Sequence, residues 1–378
     1  MLNSEKIKLR KYFKVTYDIG IIGGGQLGMM MIEEAKSLNI SFAILDPNEE
    51  CSCSYVADKI IKGRYDDIEK LTQLGDCTKV LSYEFENVPA EALKELQGRY
   101  DIPQGIQPLL DSQDRLSEKN NAVTHGLKTV PYCDCITKDD VIKACEEFGF
   151  PLIYKTRREG YDGHGQVVLH DIHDIEKLEP YLNKTEGIIE KKLDFDYECS
   201  LILIRDKKDI IHFPIGRNIH KDGILDLCIV PYEMDKDLEK RIITAGENFM
   251  KETMYEGILT IEFFIKGNEF YFNEMAPRPH NSGHYTIEGC NTNQFLELDK
   301  FLLGRKLTTP TLNSPTIMKN ILGRDMKNLD KLMQIPNAHL HMYHKKEERP
   351  LRKLGHITYT DMTYEEFLSY KTKLNIED

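Results

Sequence analysis

The sequence predicts an α/β (α+β) protein of two or three domains. The chain has 378 residues, which is more than one hydrophobic core usually organises. Near its N-terminus it carries a strand, a glycine turn, a helix and a second strand, a pattern typical of a βαβ unit. Near its three-quarter point, two apolar segments flank a turn and therefore predict a β-hairpin. These features favour an α/β unit followed by a separate domain of strands and helices.

The N-terminal unit contains a glycine-rich turn between its first strand and its helix. The strand leads into Gly23, Gly25 and Gly28, a methionine-rich helix is predicted over 29–38, and the second strand ends at Asp46. This spacing fits the G-x-G-x-x-G pattern of dinucleotide-binding proteins, with Asp46 where a ribose-binding acid would lie. The same turn serves any helix N-terminus that approaches an anion, so it does not identify the ligand.

The middle of the chain contains a second glycine-rich segment. A strand over 80–87 ends in polar groups, and open α/β sheets bind ligands beyond the carboxyl ends of their strands. A helix over 115–125 and a strand over 151–155 follow, with Lys155 at the end of that strand. The segment 160–166 then carries three glycines, whereas an ordinary tight turn needs one. Its backbone N–H groups and Lys155 predict a flap that binds phosphates.

The predicted hairpin carries two glutamates, Glu262 and Glu274. A three-residue loop over 267–269 would place them directly opposite each other, with Cβ atoms about 4.5–5.5 Å apart. Opposed like charges destabilise a sheet unless a cation lies between them. Hard oxygen ligands near Asn273 and Arg278 favour Mg²⁺ that carries phosphates. A two-residue loop would separate the carboxylates to opposite faces, and the alternative interpretation is a solvated hairpin.

The composition limits the other classes of partner. A net charge of −12 argues against a nucleic-acid-binding face, which would be basic. The chain has no run of 18 apolar residues, so no membrane span is expected, and residues 1–17 are predicted to form a flexible extension without a signal core. Nine cysteines, an odd number, favour reduced thiols and a cytoplasmic location.

A basic cluster lies near the C-terminus of this acidic chain. Residues 345–356 contain five Lys or Arg side chains and two glutamates, Glu347 and Glu348. Such a cluster can bind a phosphate monoester. The alternative is a charged surface loop in which the two glutamates balance the cations.

These segments, in this order, resemble the ATP-grasp superfamily and, more narrowly, the N5-carboxyaminoimidazole ribonucleotide synthetases of purine biosynthesis. The resemblance covers residues 18–360. It is carried by IGIIGGGQLGMM (19–30), YEFENV (83–88), QDRLSEK (113–119), GYDGHGQ (160–166), IEFF (261–264), NEMAPRPHNSGH (273–284) and RPLRKLGH (349–356). The segment 273–284 and the RKLGH string are the most specific of these.

The resemblance implies a three-part architecture and a reaction. It implies a Rossmann-like domain over 18–112, an ATP-grasp domain over 113–310 with a mobile lid at about 128–190, and a small β-rich domain over 311–378. It also implies a homodimer. The implied reaction uses ATP and bicarbonate to form carboxyphosphate, and the carbon dioxide released from it carboxylates the amine of 5-aminoimidazole ribonucleotide. ADP and phosphate are the other products.

The resemblance also implies roles for individual residues. Glu262 and Glu274 resemble the Mg²⁺ ligands, with Mn²⁺ as an alternative metal. Residues that resemble ATP-binding positions are Arg115, Lys155, Gly160, Tyr161, Asp162, Gly163, His164, Gly165, Gln166, Glu190, Lys191, Lys192, Leu193, Glu198, His220, Asn273 and Glu274. Those that resemble catalytic positions are Arg278, Tyr161 and Asp162. Those that resemble ribonucleotide-binding positions are Asn281, Ser282 and His284, with Arg349, Arg352 and Lys353 around its phosphate.

Three residues depart from the family pattern, and three other functions stay open. Glu159, His164 and Leu351 replace residues that are usually glycine, Arg or Lys, and glycine, respectively. We hypothesise that His164 makes lid closure titrate near neutral pH. The other functions are a dehydrogenase built on the glycine turn, another ATP-grasp enzyme such as a biotin carboxylase or a formate-dependent ribonucleotide transformylase, and a nucleotide sensor without catalysis.

Overall fold

The computed structural model describes residues 16–158, 160 and 165–376, which form three β-sheets with helices packed against them. The strands are β1 Tyr17–Ile22, β2 Phe42–Asp46, β3 Lys59–Lys62, β4 Thr78–Tyr83, β5 Tyr132–Cys135, β6 Leu152–Thr156, β7 Gln166–Leu169, β8 Gly187–Lys191, β9 Tyr197–Arg205, β10 Ile210–His212, β11 Gly216–Lys221, β12 Ile224–Val230, β13 Gly257–Lys266, β14 Glu269–Ala276, β15 Thr316–Leu322, β16 Ala338–Met342 and β17 Lys353–Thr360. The helices are α1 Gln26–Ala35, α2 Ile68–Cys77, α3 Ala90–Gln97, α4 Gln107–Ser112, α5 Arg115–Thr124, α6 Lys138–Phe148, α7 Lys236–Glu252, α8 Thr286–Gly289, α9 Gln294–Leu302, α10 Leu329–Leu332 and α11 Tyr364–Lys373.

The N-terminal sheet confirms the predicted βαβ unit. Its four strands are parallel in the order β3-β2-β1-β4, and β2 is buried along its whole length. Helix α1 follows the glycine turn, where Gly23 adopts a φ of +107° that favours glycine. The three consecutive methionines of α1 are at most 1% exposed and belong to the hydrophobic core. Strand β4 ends at Tyr83, earlier than predicted, so Glu84 to Asn87 lie beyond its carboxyl end.

A second, antiparallel sheet forms the segment predicted as the lid. Its order is β5-β8-β6-β7, and it packs with α6 around a small core of its own that includes Leu152, Tyr154 and Ile189. The predicted site residues Tyr161, Asp162, Gly163 and His164, together with Glu159, lie outside the described residues. Gly160, Gly165 and Gln166 are described and flank that part of the chain.

The third sheet has nine strands and joins the central and C-terminal parts of the chain. Its order is β14-β13-β9-β11-β12-β15-β17-β16, with β10 paired to β9. The C-terminal strands therefore extend the central sheet, because β15 pairs with β12 over four residues on each strand. Within the described residues, no helix is both long and apolar enough to cross a membrane.

Candidate active site

Glu262 and Glu274 lie opposite each other in the hairpin, but for a different reason from the one predicted. The loop has two residues, 267–268, because Lys266 pairs with Glu269. By itself this turn would place the two carboxylates on opposite faces of the sheet. A β-bulge at Asn273 inserts one extra residue into β14, which shifts the register and pairs Glu262 with Glu274. The structure thus has the two-residue alternative for the loop, and the bulge restores the pairing of the carboxylates that this loop alone would prevent.

The surroundings of Glu262 suit a cation. Its side chain is 6% exposed and accepts hydrogen bonds from Ser200 Oγ at 3.2 Å and Asn218 Nδ2 at 3.3 Å. Burial and then the nearby Glu274 and Glu198 raise the pKa of Glu262 well above its ordinary value. A bound cation would remove this cost of ionisation.

The donor set is also informative about the metal. In the part of the chain that the structure describes, no group of three or more His, Cys, Asp or Glu side chains is arranged to hold a metal ion. Two carboxylates fit Mg²⁺, which usually takes its remaining oxygens from water and substrate phosphates. The residues present therefore fit the predicted ion.

Lys155 belongs to a buried ionic group behind this site. Its Nζ lies 3.0 Å from Glu190 Oε2, and Lys119 Nζ lies 3.3 Å from Glu190 Oε1. Burial opposes ionisation, but Lys119 and Lys155 hold the pKa of Glu190 below its ordinary value. Glu190, predicted near the adenine, contacts two lysines. The ammonium group of Lys155 is fixed where it also faces the cavity described next.

One cavity of about 620 Å³ brings most of the predicted residues together. The predicted residues that line it are Arg115, Lys155, Gly160, Gln166, Glu198, His220, Glu262, Asn273, Glu274, Arg278, Asn281, His284 and Lys353. Two buried donors in its wall, Arg278 Nε and Asn281 Nδ2, have no hydrogen-bond partner among the described residues. Unsatisfied donors of this kind suit an anion with several oxygens.

Several predicted residues do not line this cavity. Lys191 donates from Nζ to the carbonyl oxygens of Gly149 and Phe150, at 3.2 and 2.8 Å. Ser282 is buried against His280, with 2.8 Å between Oγ and Nδ1. The remaining described residues outside the lining are Gly165, Glu190, Lys192, Leu193, Arg349 and Arg352.

A second cavity of about 430 Å³ adjoins the first at Glu84 and Phe85, which line both. Its wall includes Lys345, Lys346 and Arg352 from the basic cluster, opposite the glycine turn. The structure therefore divides the predicted phosphate-binding group. Lys353 lines the first cavity and Arg352 the second.

Arg349 lies apart from both cavities. Its guanidinium is 76% exposed and pairs with Glu347 at 2.6 Å. Glu347 also pairs with Arg352 at 3.6 Å, and the Arg352 N–H donates to the Arg349 carbonyl oxygen at 2.9 Å, so Arg349 lies beside Arg352 in the basic cluster although it lines neither cavity.

The glycine turn is occupied by the protein's own carboxylates. The Gly24 N–H donates to Asp46 Oδ2 at 2.8 Å and the Gly28 N–H donates to Glu84 Oε2 at 2.8 Å, while the Gly25 N–H donates to Glu84 Oε1. These are the N–H groups that would bind a pyrophosphate in a dinucleotide-binding protein. The geometry therefore disfavours the dehydrogenase alternative.

Sequence reasoning missed several residues that line the first cavity. Glu86 pairs with Arg278, and Phe195 stacks on Phe264 with ring centroids 4.5 Å apart. Glu118 also lines the cavity and lies one turn after Arg115 on α5. An i, i+3 spacing from Arg115 was the available signal for Glu118. No comparable local pattern marks the aromatic pair.

The stability of the protein without ligands is expected to fall as pH rises from 6.5 to 8. Burial, and then Glu274, raises the pKa of Glu118 to about 8 and that of Glu198 to about 7, against an ordinary 4.5. The folded state thus retains protons that the unfolded state has released, and each group costs up to about 1.4 kcal/mol per pH unit. The stability that these retained protons contribute is fully present below pH 4.5. It is lost as pH rises through the pKa values that Glu198 and Glu118 have in the folded state.

Three buried histidines limit the pH window for this test. The pKa values of His280, His284 and His356 are held well below 6.5, first by burial, so their contribution is lost only as pH falls below 6.5. Burial opposes ionisation of His341, but Glu288 raises its pKa above 6.5, so His341 changes stability in the same direction in this window. The contribution of Glu198 is therefore measured as the difference between the parent and Glu198→Gln, whose melting temperature should change less between pH 6.5 and 8. A variant with the same slope as the parent would contradict the assignment of Glu198.

Three family models match successive parts of the chain. The ribonucleotide synthetase preATP-grasp domain matches residues 16–109, the ATP-grasp domain matches residues 120–295, and the phosphoribosylaminoimidazole carboxylase C-terminal domain matches residues 316–370. Their order agrees with the fold described above.

Relatives that match almost the whole chain identify the family more closely. The N5-carboxyaminoimidazole ribonucleotide synthase of Staphylococcus epidermidis is 43% identical over 344 residues, which cover 90% of this chain and 91% of that protein. A crystal structure of the Staphylococcus aureus N5-carboxyaminoimidazole synthetase complexed with ADP matches with a TM-score of 0.90 and 39% identity, over 96% of this chain and 98% of that chain.

A fungal structure extends the similarity to a complex with the ribonucleotide. The Aspergillus clavatus N5-carboxyaminoimidazole synthase in complex with ADP and 5-aminoimidazole ribonucleotide matches with a TM-score of 0.87 and 27% identity, over 96% of this chain and 98% of that chain. Taken with the carboxylate pair and the cavity that it shares with Lys155 and Lys353, these similarities show that the chain belongs to the N5-carboxyaminoimidazole ribonucleotide synthase family of ATP-grasp ligases.

Proposed function

We propose that this chain is the ATP-dependent ligase that carboxylates 5-aminoimidazole ribonucleotide to N5-carboxyaminoimidazole ribonucleotide in purine biosynthesis, with bicarbonate as the carbon source. The observation that carries the proposal is the single cavity lined by Glu262, Glu274, Lys155, Arg278 and Lys353. Opposed carboxylates at a cavity that is also lined by lysine and arginine side chains suit a metal–nucleotide and small anions together. The sequence relatives named for this reaction support the same substrates.

The nucleotide is proposed to bind between the lid sheet and the hairpin. Lys155 and Arg115 would contact its phosphates, and Glu198 its ribose. Mg²⁺, or Mn²⁺ in its place, would be held by Glu262 and Glu274, and when bound it would neutralise charge on the transferring phosphoryl group. Arg115 already binds the lid through the carbonyl oxygens of Thr156 and Gly160, at 2.8 and 3.2 Å. Phosphate binding at Arg115 is thereby linked to the position of the lid.

The anion that receives the phosphoryl group is proposed to lie beside Arg278 and Asn281. Their buried N–H donors, which have no partner in the described part of the chain, can bind bicarbonate and then the oxygens of carboxyphosphate. Glu86 pairs with Arg278 and orients its guanidinium. Carboxyphosphate is a reactive mixed anhydride, so exclusion of water by the lid would protect it.

The ribonucleotide is proposed to extend from the first cavity into the second. Its amine would lie near His284 and Lys353, and its phosphate near Arg352 and the adjoining Lys345 and Lys346. The shared wall at Glu84 and Phe85 supports this arrangement. The ribonucleotide is an anion, and its phosphate suits an arginine fork better than any neutral donor would.

Domain limits, assembly and location complete the proposal. We propose domains over 18–112, 113–310 and 311–378, supported by family models with similar limits. The family resemblance supports a homodimer. Nine unpaired cysteines support a reducing, cytoplasmic setting.

The proposal is tested by ADP release from Mg-ATP and bicarbonate, with and without 5-aminoimidazole ribonucleotide. We expect strong stimulation by the ribonucleotide and a requirement for bicarbonate. Stimulation of ADP release by the ribonucleotide with formate in place of bicarbonate would instead indicate a transformylase. ADP binding without stimulation would leave only the fold, and binding of a nicotinamide cofactor would overturn the assignment.

A further inference from the structure

The bulge that pairs the two carboxylates lies on an edge strand. β14 is the outermost strand of the nine-stranded sheet, so within the described ranges its outward backbone groups have no neighbouring strand to pair with. Such groups need other partners if they are shielded from water. At Phe272 the partner is main chain, because its N–H donates to the Lys128 carbonyl oxygen at 2.7 Å.

Two adjacent side chains of α5 satisfy the backbone at the bulge itself. The Met275 N–H donates to Glu118 Oε1 at 2.7 Å, and Lys119 Nζ donates to the Asn273 carbonyl oxygen at 3.2 Å. These two backbone groups lie on either side of Glu274. A donor and an acceptor on the same helix thus contact both ends of the segment that carries this carboxylate.

Both side chains are fixed in place. Glu118 is 3% exposed and Lys119 is 1% exposed, so neither has freedom to move in solvent. Lys119 is also 3.3 Å from Glu190, which binds Lys155 in turn. Burial of two ionisable groups is costly unless each makes good hydrogen bonds, and the bulge supplies one to each.

We propose that Glu118 and Lys119 are positioning residues that hold the β-bulge at Asn273 and so turn Glu274 toward Glu262. This inference rests on the proposed metal site and deepens it, because it assigns the groups that set the geometry of one metal ligand. Without these contacts the bulge can migrate or be lost, and a one-residue change of register moves Glu274 to the other face of the sheet.

The first test compares Glu118→Leu, Glu118→Gln and Asn121→Ala in the full-length protein. Leucine removes the acceptor for the Met275 N–H, whereas glutamine keeps an acceptor oxygen. Asn121→Ala is the matched control, because Asn121 lies on the same helix and donates to Tyr255 Oη at 2.8 Å, away from the bulge. The probe is Mn²⁺ with ADP, and its binding is measured by electron paramagnetic resonance.

We expect Glu118→Leu to weaken Mn²⁺ binding in the presence of ADP by about 10- to 100-fold, because the buried Met275 N–H is then left without its acceptor. The Mn²⁺ affinity of Glu118→Gln should stay within about threefold of the parent, because the glutamine oxygen can still accept from the Met275 N–H. The affinity of Asn121→Ala should also stay within about threefold, because a substitution away from the bulge has only a small effect. A folded Glu118→Leu protein with parental affinity would overturn the proposal. So would a Glu118→Gln protein that binds as weakly as Glu118→Leu.

A second measurement needs no variant and decides the case if Glu118→Leu does not fold. Hydrogen exchange of the Met275 amide in the parent should be as slow as that of amides in the strand ladder, because its N–H is bonded to a buried acceptor. Exchange at the rate of an unprotected edge amide would overturn the proposal. Failure of the parent to bind Mn²⁺ with ADP would instead refute the proposed metal site.

Discussion

Glu274→Gln is expected to lower ribonucleotide-dependent ADP formation by about 10³-fold or more, because a metal ion supplies several kcal/mol of transition-state stabilisation and each ~1.4 kcal/mol is tenfold in rate. The amide preserves the shape of the side chain but removes one of the two charges that would hold Mg²⁺. Steady-state ADP release at several Mg²⁺ concentrations measures this effect.

The same substitution should make the ligand-free protein slightly more stable. Burial and then Glu274 raise the pKa of Glu262, and relief of such an opposition between like groups contributes about 0.2–1 kcal/mol. The melting temperature should therefore rise while the stabilisation by Mg-ADP is lost. A purely structural role for Glu274 predicts the reverse, a lower melting temperature with parental response to Mg-ADP.

Glu269→Gln provides the matched control for Glu274→Gln. Glu269 is on the same strand, next to the turn of the hairpin, where it is exposed and pairs with Lys128 at 2.8 Å. Its loss should leave ADP formation unchanged, because an exposed ion pair contributes little. Parental activity of Glu274→Gln at saturating Mg²⁺ would refute the metal assignment.

Arg352→Ala is expected to raise the KM for 5-aminoimidazole ribonucleotide by about 10- to 100-fold, since a hydrogen bond between charged groups contributes about 1.5–3 kcal/mol. The KM for ATP should stay near the parental value, because Arg352 lines the second cavity and not the first. Initial rates with each substrate varied in turn separate the two effects.

Arg324→Ala is the control for that experiment. Arg324 also lies in the C-terminal part of the chain, but it pairs with Asp222 and lines neither cavity. Its substitution should leave both KM values unchanged. Equal increases for both substrates in Arg352→Ala would place this arginine elsewhere. An equally large increase in the ribonucleotide KM in Arg349→Ala would show that the basic cluster moves onto the bound phosphate.

Much of the fold follows from local patterns. The βαβ unit, the strand that ends at Lys155 and the hairpin with its two glutamates were all predictable, because each depends on side-chain alternation and turn residues within a short stretch. The family resemblance added the order of the domains. The extension of the central sheet by β15 was not predictable, since it depends on pairing between strands about 90 residues apart in the sequence.

The site was predictable in its members more than in its geometry. A bulge at Asn273 has no sequence signal comparable to a glycine turn, so the sequence could not show that a two-residue loop would still pair the carboxylates. The contacts of Glu190 with two lysines on other elements were not predictable either. The bulge contacts α5, so both features involve segments distant in sequence, and local propensity carries no information about these contacts.

The continuous nine-stranded sheet has a consequence for dividing this protein into parts. β12 is buried at all seven positions, and on one side only β15 covers it. A fragment that ended between the ATP-grasp and C-terminal segments would leave an apolar strand with unpaired backbone groups, a template for association with other chains. The borders suggested by sequence families are therefore poor places to cut, and the natural unit for expression or recombination includes both segments.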